Sequence, residues 1–159
     1  MGTFALVPQV ADAVDLPVIA AGGIADARGI AAALVLGASG VQIGTAYLFC
    51  PEARVSTLHA AALRSPAAAQ TALTNVFTGR PARSIVTRLM SDVGPLCPDV
   101  PPFPLAAGAV LPLRAIAEQA GDTSFTSLWS GQAAGLAREL PAGELTRALA
   151  AGALERLRP

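Results

Sequence analysis

Charge is scarce in this sequence. Only 14% of its 159 residues are charged, and eleven basic and eleven acidic groups cancel to a net charge of zero. No basic stripe runs along the chain, which argues against a nucleic-acid partner. Cysteine is scarcer still: Cys50 and Cys97 are the only two, each beside a proline and neither at metal-ligand spacing. They read as reduced thiols of a cytoplasmic protein rather than as a disulfide. A single histidine, His59, would leave a zinc site to be built from carboxylates and scattered thiols, so no metal is expected. Long apolar runs are missing as well. Ile30 to Leu36 and Leu105 to Leu113 fall short of the roughly 20 residues that span a bilayer, and Pro112 interrupts the second. No basic segment followed by an apolar one marks a signal peptide.

Apolar residues are abundant, at 53% of the chain, enough to fill a core and to argue against disorder. The length suits one domain but is too short for a closed (β/α)₈ barrel, which takes about 250 residues. No internal repeat is visible.

The most informative stretch runs from Leu16 to Thr45, LPVIAAGGIADARGIAAALVLGASGVQIGT. Two short apolar runs, Val18 to Ala21 and Val41 to Ile43, each end in glycine: Gly22-Gly23 after the first and Gly44-Thr45 after the second. The Ala-rich segment between them has helical spacing, with Asp26 as N-cap and Gly37 as the terminating glycine. This pattern predicts a βαβ unit with both glycine turns at the carboxyl ends of parallel strands. Backbone N–H groups gathered there, beside helix N-termini, suit an anion such as phosphate. The rival reading is that both pairs are ordinary tight turns.

Upstream, Phe4, Leu6, Val7, Val10 and Val14 share a helical face, with Pro8 expected in the first turn. The chain is therefore expected to begin in a helix that precedes a strand. Downstream, Pro51 is expected to open a helix through Leu63. Thr71 to Phe77 reads as a strand or an extended arm, and Thr78 to Pro81 as a turn. Ser84 is expected to cap a helix carrying Ile85, Leu89 and Met90. Gly94 to Pro104 holds five prolines and reads as a loop. Helical patterns follow at Leu113 to Ala120 and Gly131 to Leu140. A last helix begins at Pro141, with Leu145, Leu149 and Leu154 on its buried face.

The Leu16 to Thr45 stretch resembles the FMN phosphate-binding part of nitronate monooxygenases, once called 2-nitropropane dioxygenases. VFTGRPARSIVTRLM, FPLA at Phe103 to Ala106, and LWSGQAAGLAREL resemble that family's C-terminal region. The resemblance implies a flavin enzyme that oxidises alkyl nitronates with O₂ to carbonyl compounds and nitrite. It implies an α/β fold: the C-terminal portion of a TIM (β/α)₈ barrel over residues 1–69, then a mainly helical region over 70–159. The N-terminal barrel part is expected in a full-length enzyme. Phosphate sites of such barrels often lie between the loops after the last two strands. The cofactor-binding set is therefore Gly22, Gly23, Gln42, Gly44 and Thr45. The glycine backbones can approach a phosphate closely, Thr45 adds hydrogen bonds, and the Gln42 amide can reach the flavin.

No catalytic residue is assigned. His59 reads as a surface or hydrogen-bonded histidine, because the family's base lies in a glycine-rich segment upstream of the position matching Thr3. Arg28 reads as a solvated arginine, Arg80 and Arg83 as anion ligands or turn pins, and Trp129 as a site wall or core packing. An FMN-dependent enoyl-acyl carrier protein reductase shares AAGGIADARG and GT, and it is one alternative. An inactive flavin- or phosphate-binding fragment is the other.

Overall fold

The computed structural model describes residues 1–158. Its elements in chain order are α1 (Thr3–Ala11), β1 (Ile19–Ala21), α2 (Ala27–Val35), β2 (Gly40–Gln42), α3 (Thr57–Arg64), β3 (Thr71–Thr74), β4 (Ala82–Ile85), α4 (Arg88–Val93), α5 (Ala106–Gln119) and α6 (Ala142–Leu157). The chain divides into two compact units, Met1–Arg54 with Gln132–Pro159, and Val55–Gly131. The units meet at 54/55 and 131/132, so α6 belongs with the first.

The first unit contains the expected βαβ arrangement. β1 and β2 pair in parallel, with Ile19 opposite Gly40, Ala20 opposite Val41 and Ala21 opposite Gln42. Side chains alternate across the sheet. Ala20 is buried with Val7, Ile24, Ala33 and Ala38, and Val41 and Ile43 pack against that cluster. Ile19, Ala21 and Gln42 lie exposed on the opposite face. α2 ends in a Schellman motif: the Gly37 N–H donates to Leu34 O at 3.1 Å and the Ala38 N–H to Ala33 O at 3.0 Å. Gly37 sits at φ 97°, which explains the glycine. α6 buries Leu145, Leu149 and Ala153. Leu154, expected on that face, is exposed, because Leu145, Leu149 and Ala153 already form the i, i+4, i+8 stripe. The Glu52 carboxylate accepts from the Ala142 N–H at 3.0 Å and caps α6, which Pro141 cannot do.

The second unit pairs β3 and β4 antiparallel, Thr71 opposite Ile85 through Thr74 opposite Ala82. Ser84 is therefore in a strand and caps no helix. Its hydroxyl donates to Leu128 O at 2.9 Å, and Thr87 takes the N-cap position of α4. The helix expected from Pro51 through Leu63 is broken at Arg54, which adopts a left-handed φ of 50°. α3 then restarts under a Ser56 cap. Pro8 sits inside α1 rather than in its first turn. The helix expected at Leu113 begins earlier, at Ala106, and tolerates Pro112 inside it.

The helix expected over 131–140 is absent. Only a single 3₁₀ turn, Ala134–Leu136, forms, and Ala133 and Ala134 are buried. Just before it, Trp129 bridges to Ser84 and the Ser130 N–H donates to Arg83 O, which holds that segment extended.

Candidate functional site

Because β1 and β2 are parallel neighbours with Ala21 opposite Gln42, the turns that follow them lie side by side. Gly22 and Gly23 adopt φ of 103° and 74°, a region closed to most L residues. Gly44 is different. Its φ of −103° needs no glycine, and a Cβ there would meet no atom within 4 Å. A Cβ at Gly23 would likewise meet nothing within 4 Å. Gly22, Gly23 and Gly44 are exposed and Thr45, which opens the 3₁₀ turn Thr45–Phe49, is half-buried. Gln42 ends β2 and is exposed on the face of the sheet opposite the buried Ala20 cluster. The five residues singled out in the sequence thus cluster at the carboxyl ends of the two paired strands.

The N-terminus of α2 contributes less than its position suggests. The Asp26 carboxylate accepts from the Arg28 and Gly29 N–H groups, both at 3.0 Å. Those amides are taken. The Arg28 guanidinium, hydrogen-bonded to Asp26 at 2.7 Å, holds that carboxyl below its ordinary range against the opposing effect of burial. Arg28 is itself exposed and paired with Asp26, as a solvated surface arginine. Asp26 thus takes the second and third amides of α2, leaving its first, Ala27, beside those of the glycine turn upstream.

Thr3 is the residue that sequence reasoning missed. Its hydroxyl lies 3.1 Å from Ala21 O and 2.8 Å from Gly22 O, the two carbonyls that lead into the glycine turn. The separation of 18 and 19 residues leaves no local signal in the sequence.

In the second unit the family-like motifs have structural partners. Arg83 donates to Thr71 O and Oγ1, both at 3.2 Å, across the β3–β4 pair. The Arg80 guanidinium stacks 4.7 Å from the Phe103 ring centre. Trp129 meets Phe77 edge-to-face at 5.7 Å, beside the buried Val76 and Met90. His59 Nε2 lies 3.0 Å from Trp129 O. Burial lowers the His59 pKa, the Trp129 carbonyl opposes that shift, and Arg114 adds to it. Asn75 clamps the Pro-rich loop through both main-chain groups of Cys97, at 2.8 and 2.9 Å. Among the described residues, no group of three or more His, Cys, Asp or Glu is gathered to hold a metal, and no helix is long and apolar enough to cross a membrane.

Comparison with known proteins places these features in a family. The family model described as nitronate monooxygenase matches residues 1–152. The nitronate monooxygenase of Pseudomonas aeruginosa is 48% identical over 150 residues, covering 94% of this chain and 43% of that protein. A probable nitronate monooxygenase of Staphylococcus saprophyticus is 40% identical over 145 residues, covering 91% of this chain and 41% of that protein. Among solved structures, nitroalkane oxidase from Streptomyces ansochromogenes superposes with a TM-score of 0.88 at 46% identity, covering 98% of this chain and 44% of the other. FabK from Thermotoga maritima superposes with a TM-score of 0.73 at 33% identity, covering 98% of this chain and 50% of the other. The chain spans less than half the length of the curated relatives it matches. With a family model matched over nearly its whole length, the chain belongs to the nitronate monooxygenase family.

Proposed function

We propose that this chain carries the phosphate-binding end of an FMN site in an oxidoreductase of the nitronate monooxygenase type. On this reading the β1–α2–β2 unit supplies the last strands of a (β/α)₈ barrel, and the region that follows belongs to its mainly helical C-terminal part. The observation that carries the proposal is the open space at Gly23 and Gly44, on adjacent turns at the carboxyl ends of parallel strands. A tight turn explains glycine at position 23 by its φ. It does not explain glycine at 44, where neither backbone nor packing excludes a side chain.

The residues present fit the group. The Gly23 amide and Thr45 provide hydrogen-bond donors for a phosphate, and such bonds to a charged acceptor are stronger than neutral ones. Gln42, exposed at the strand end, would offer an amide to the flavin. FMN, when bound, supplies the redox chemistry, and the protein supplies binding and orientation. The proposed reaction of the whole enzyme is oxidation of an alkyl nitronate by O₂ to a carbonyl compound and nitrite. No residue of this chain is proposed as catalytic; His59 is engaged with the Trp129 carbonyl.

An enoyl-acyl carrier protein reductase is the second reading, on the shared AAGGIADARG and GT segments. The match to nitroalkane oxidase, higher in both identity and TM-score than the match to FabK, favours the first. Flavin fluorescence titration tests the site: the chain should bind FMN more tightly than riboflavin, which lacks the phosphate. Equal affinities would refute a phosphate site. Oxygen uptake with propyl-2-nitronate, FMN and this chain should not exceed that of free FMN. Among the described residues only two parallel strands form the exposed sheet face, and a substrate held loosely there forfeits the gain from positioning.

A further inference from the structure

We propose that Thr3 is a positioning residue for this site, holding the Gly22–Gly23 peptide so that the Gly23 N–H faces the anion; the proposal rests on the phosphate reading above. Thr3 is the first residue of α1, one past the N-cap Gly2, at a helix start where Ser and Thr hydroxyls often bond nearby backbone groups. Here the Thr3 hydroxyl reaches instead to the end of β1. Its single proton is shared between Ala21 O at 3.1 Å and Gly22 O at 2.8 Å.

The consequence follows from peptide geometry. The Gly22–Gly23 peptide is trans, since Phe103-Pro104 is the cis bond found among the described residues. In a trans peptide the C=O and the following N–H point to opposite sides. Fixing the Gly22 carbonyl on Thr3 therefore turns the Gly23 N–H away from α1. That amide belongs to the glycine whose missing Cβ leaves open space. Glycine at 22 is required twice over. Its φ is 103°, and a Cβ there would come within 3.0 Å of Thr3 Oγ1. Glycine at 22 thus lets Thr3 approach, and glycine at 23 leaves room on the other side. Asp26 occupies the Arg28 and Gly29 amides of α2, so the orientation of the Gly22–Gly23 peptide adds to the donor capacity the loop offers.

Thr3→Val keeps the branched shape and removes the donor; Thr3→Ser keeps the donor. Three quantities distinguish them in the 159-residue chain: FMN affinity, riboflavin affinity, and the Gly23 amide chemical shift without ligand. The wild type should bind FMN more tightly than riboflavin. Thr3→Val should weaken FMN about tenfold, as expected for one misdirected charge-assisted hydrogen bond, and leave riboflavin unchanged. The Gly23 amide should shift in Thr3→Val and recover in Thr3→Ser, which should bind FMN within about twofold of wild type. If Thr3→Val keeps the wild-type preference for FMN, or weakens both flavins equally, the positioning role is overturned and the phosphate site stands. If the wild type does not prefer FMN, the phosphate reading fails and takes this inference with it.

Discussion

At Gly79 a Cβ would lie 2.5 Å from both the Phe103 nitrogen and the Pro101 carbonyl oxygen, whereas at Gly44 it would meet no atom within 4 Å. Both glycines sit in motifs that resemble one family, FTGRP and QIGT. In the first, the space left by the missing side chain is filled by the protein's own backbone, and the left-handed φ of 85° adds a second demand. Arg80 on Phe103 and Asn75 on Cys97 fasten the same loop. In the second, nothing in the described structure fills the space. A family motif therefore carries no single meaning: the surroundings of each residue separate a structural lock from a candidate binding surface.

The sharpest way to break this contrast is Gly79→Ala. The new Cβ meets backbone that cannot swing aside, in a conformation L residues avoid. The expected loss is about 3 kcal/mol or more of unfolding free energy. Denaturant titration measures it, and a loss under about 1 kcal/mol would show that the loop yields and that the lock is weak.

Gly44→Ala is the converse. At φ −103° with open surroundings, stability should change by less than about 1 kcal/mol. FMN affinity should fall about tenfold, because the methyl group stands where a phosphate would approach. Unaltered affinity alongside unaltered stability would leave Gly44 as an ordinary turn residue.

Gly152 sharpens the comparison from within the first unit. It lies in α6, where a Cβ would come within 2.9 Å of the Ala27 Cβ on α2. Gly152→Ala gains about 1 kcal/mol of helix propensity and incurs about 1–3 kcal/mol of overpacking. A net loss of about 1 kcal/mol is expected, with flavin affinity unchanged. A net gain would mean the two helices separate at little cost.

The elements that were legible from sequence are those whose signals are local. β1, α2 and β2 were readable because apolar runs stop at glycines, and because Asp26 and Gly37 bracket one amphipathic helix. The positions of Gly22, Gly23, Gln42, Gly44 and Thr45 at the strand ends followed from the same pattern. Long-range partners hid the rest. Ser84 looked like a helix cap because its actual partner, Leu128 O, is 44 residues away. The segment after Trp129 looked helical because its composition is Ala-rich, while bonding to β4 holds its start extended. Thr3 carried no signal because its acceptors lie across the unit's fold.

His59 gives the smallest effect and tests whether the second unit's motifs are structural throughout. Its Nε2 lies 3.0 Å from Trp129 O, and because a carbonyl can only accept, Nε2 carries the proton. Burial disfavours the imidazolium, the Trp129 carbonyl partly offsets this, and Arg114 disfavours it further, so the pKa lies below its ordinary 6.5. Between the folded value and 6.5 the unfolded chain binds more protons than the folded one, so stability rises with pH there. The contribution is fully present above about pH 6.5 and is lost as pH falls through the folded value. His59 is the only histidine, and Asp26, Glu118 and Asp122 are held below their ordinary carboxylate ranges, so they act only at lower pH. Unfolding free energy should therefore decline slightly from pH 7.5 to 5.5 in the wild type. In His59→Gln that slope should be flatter, with the FMN-to-riboflavin preference retained. A slope unchanged by the substitution would remove His59 as its source. Loss of flavin preference in His59→Gln would bring a residue of the second unit into the site.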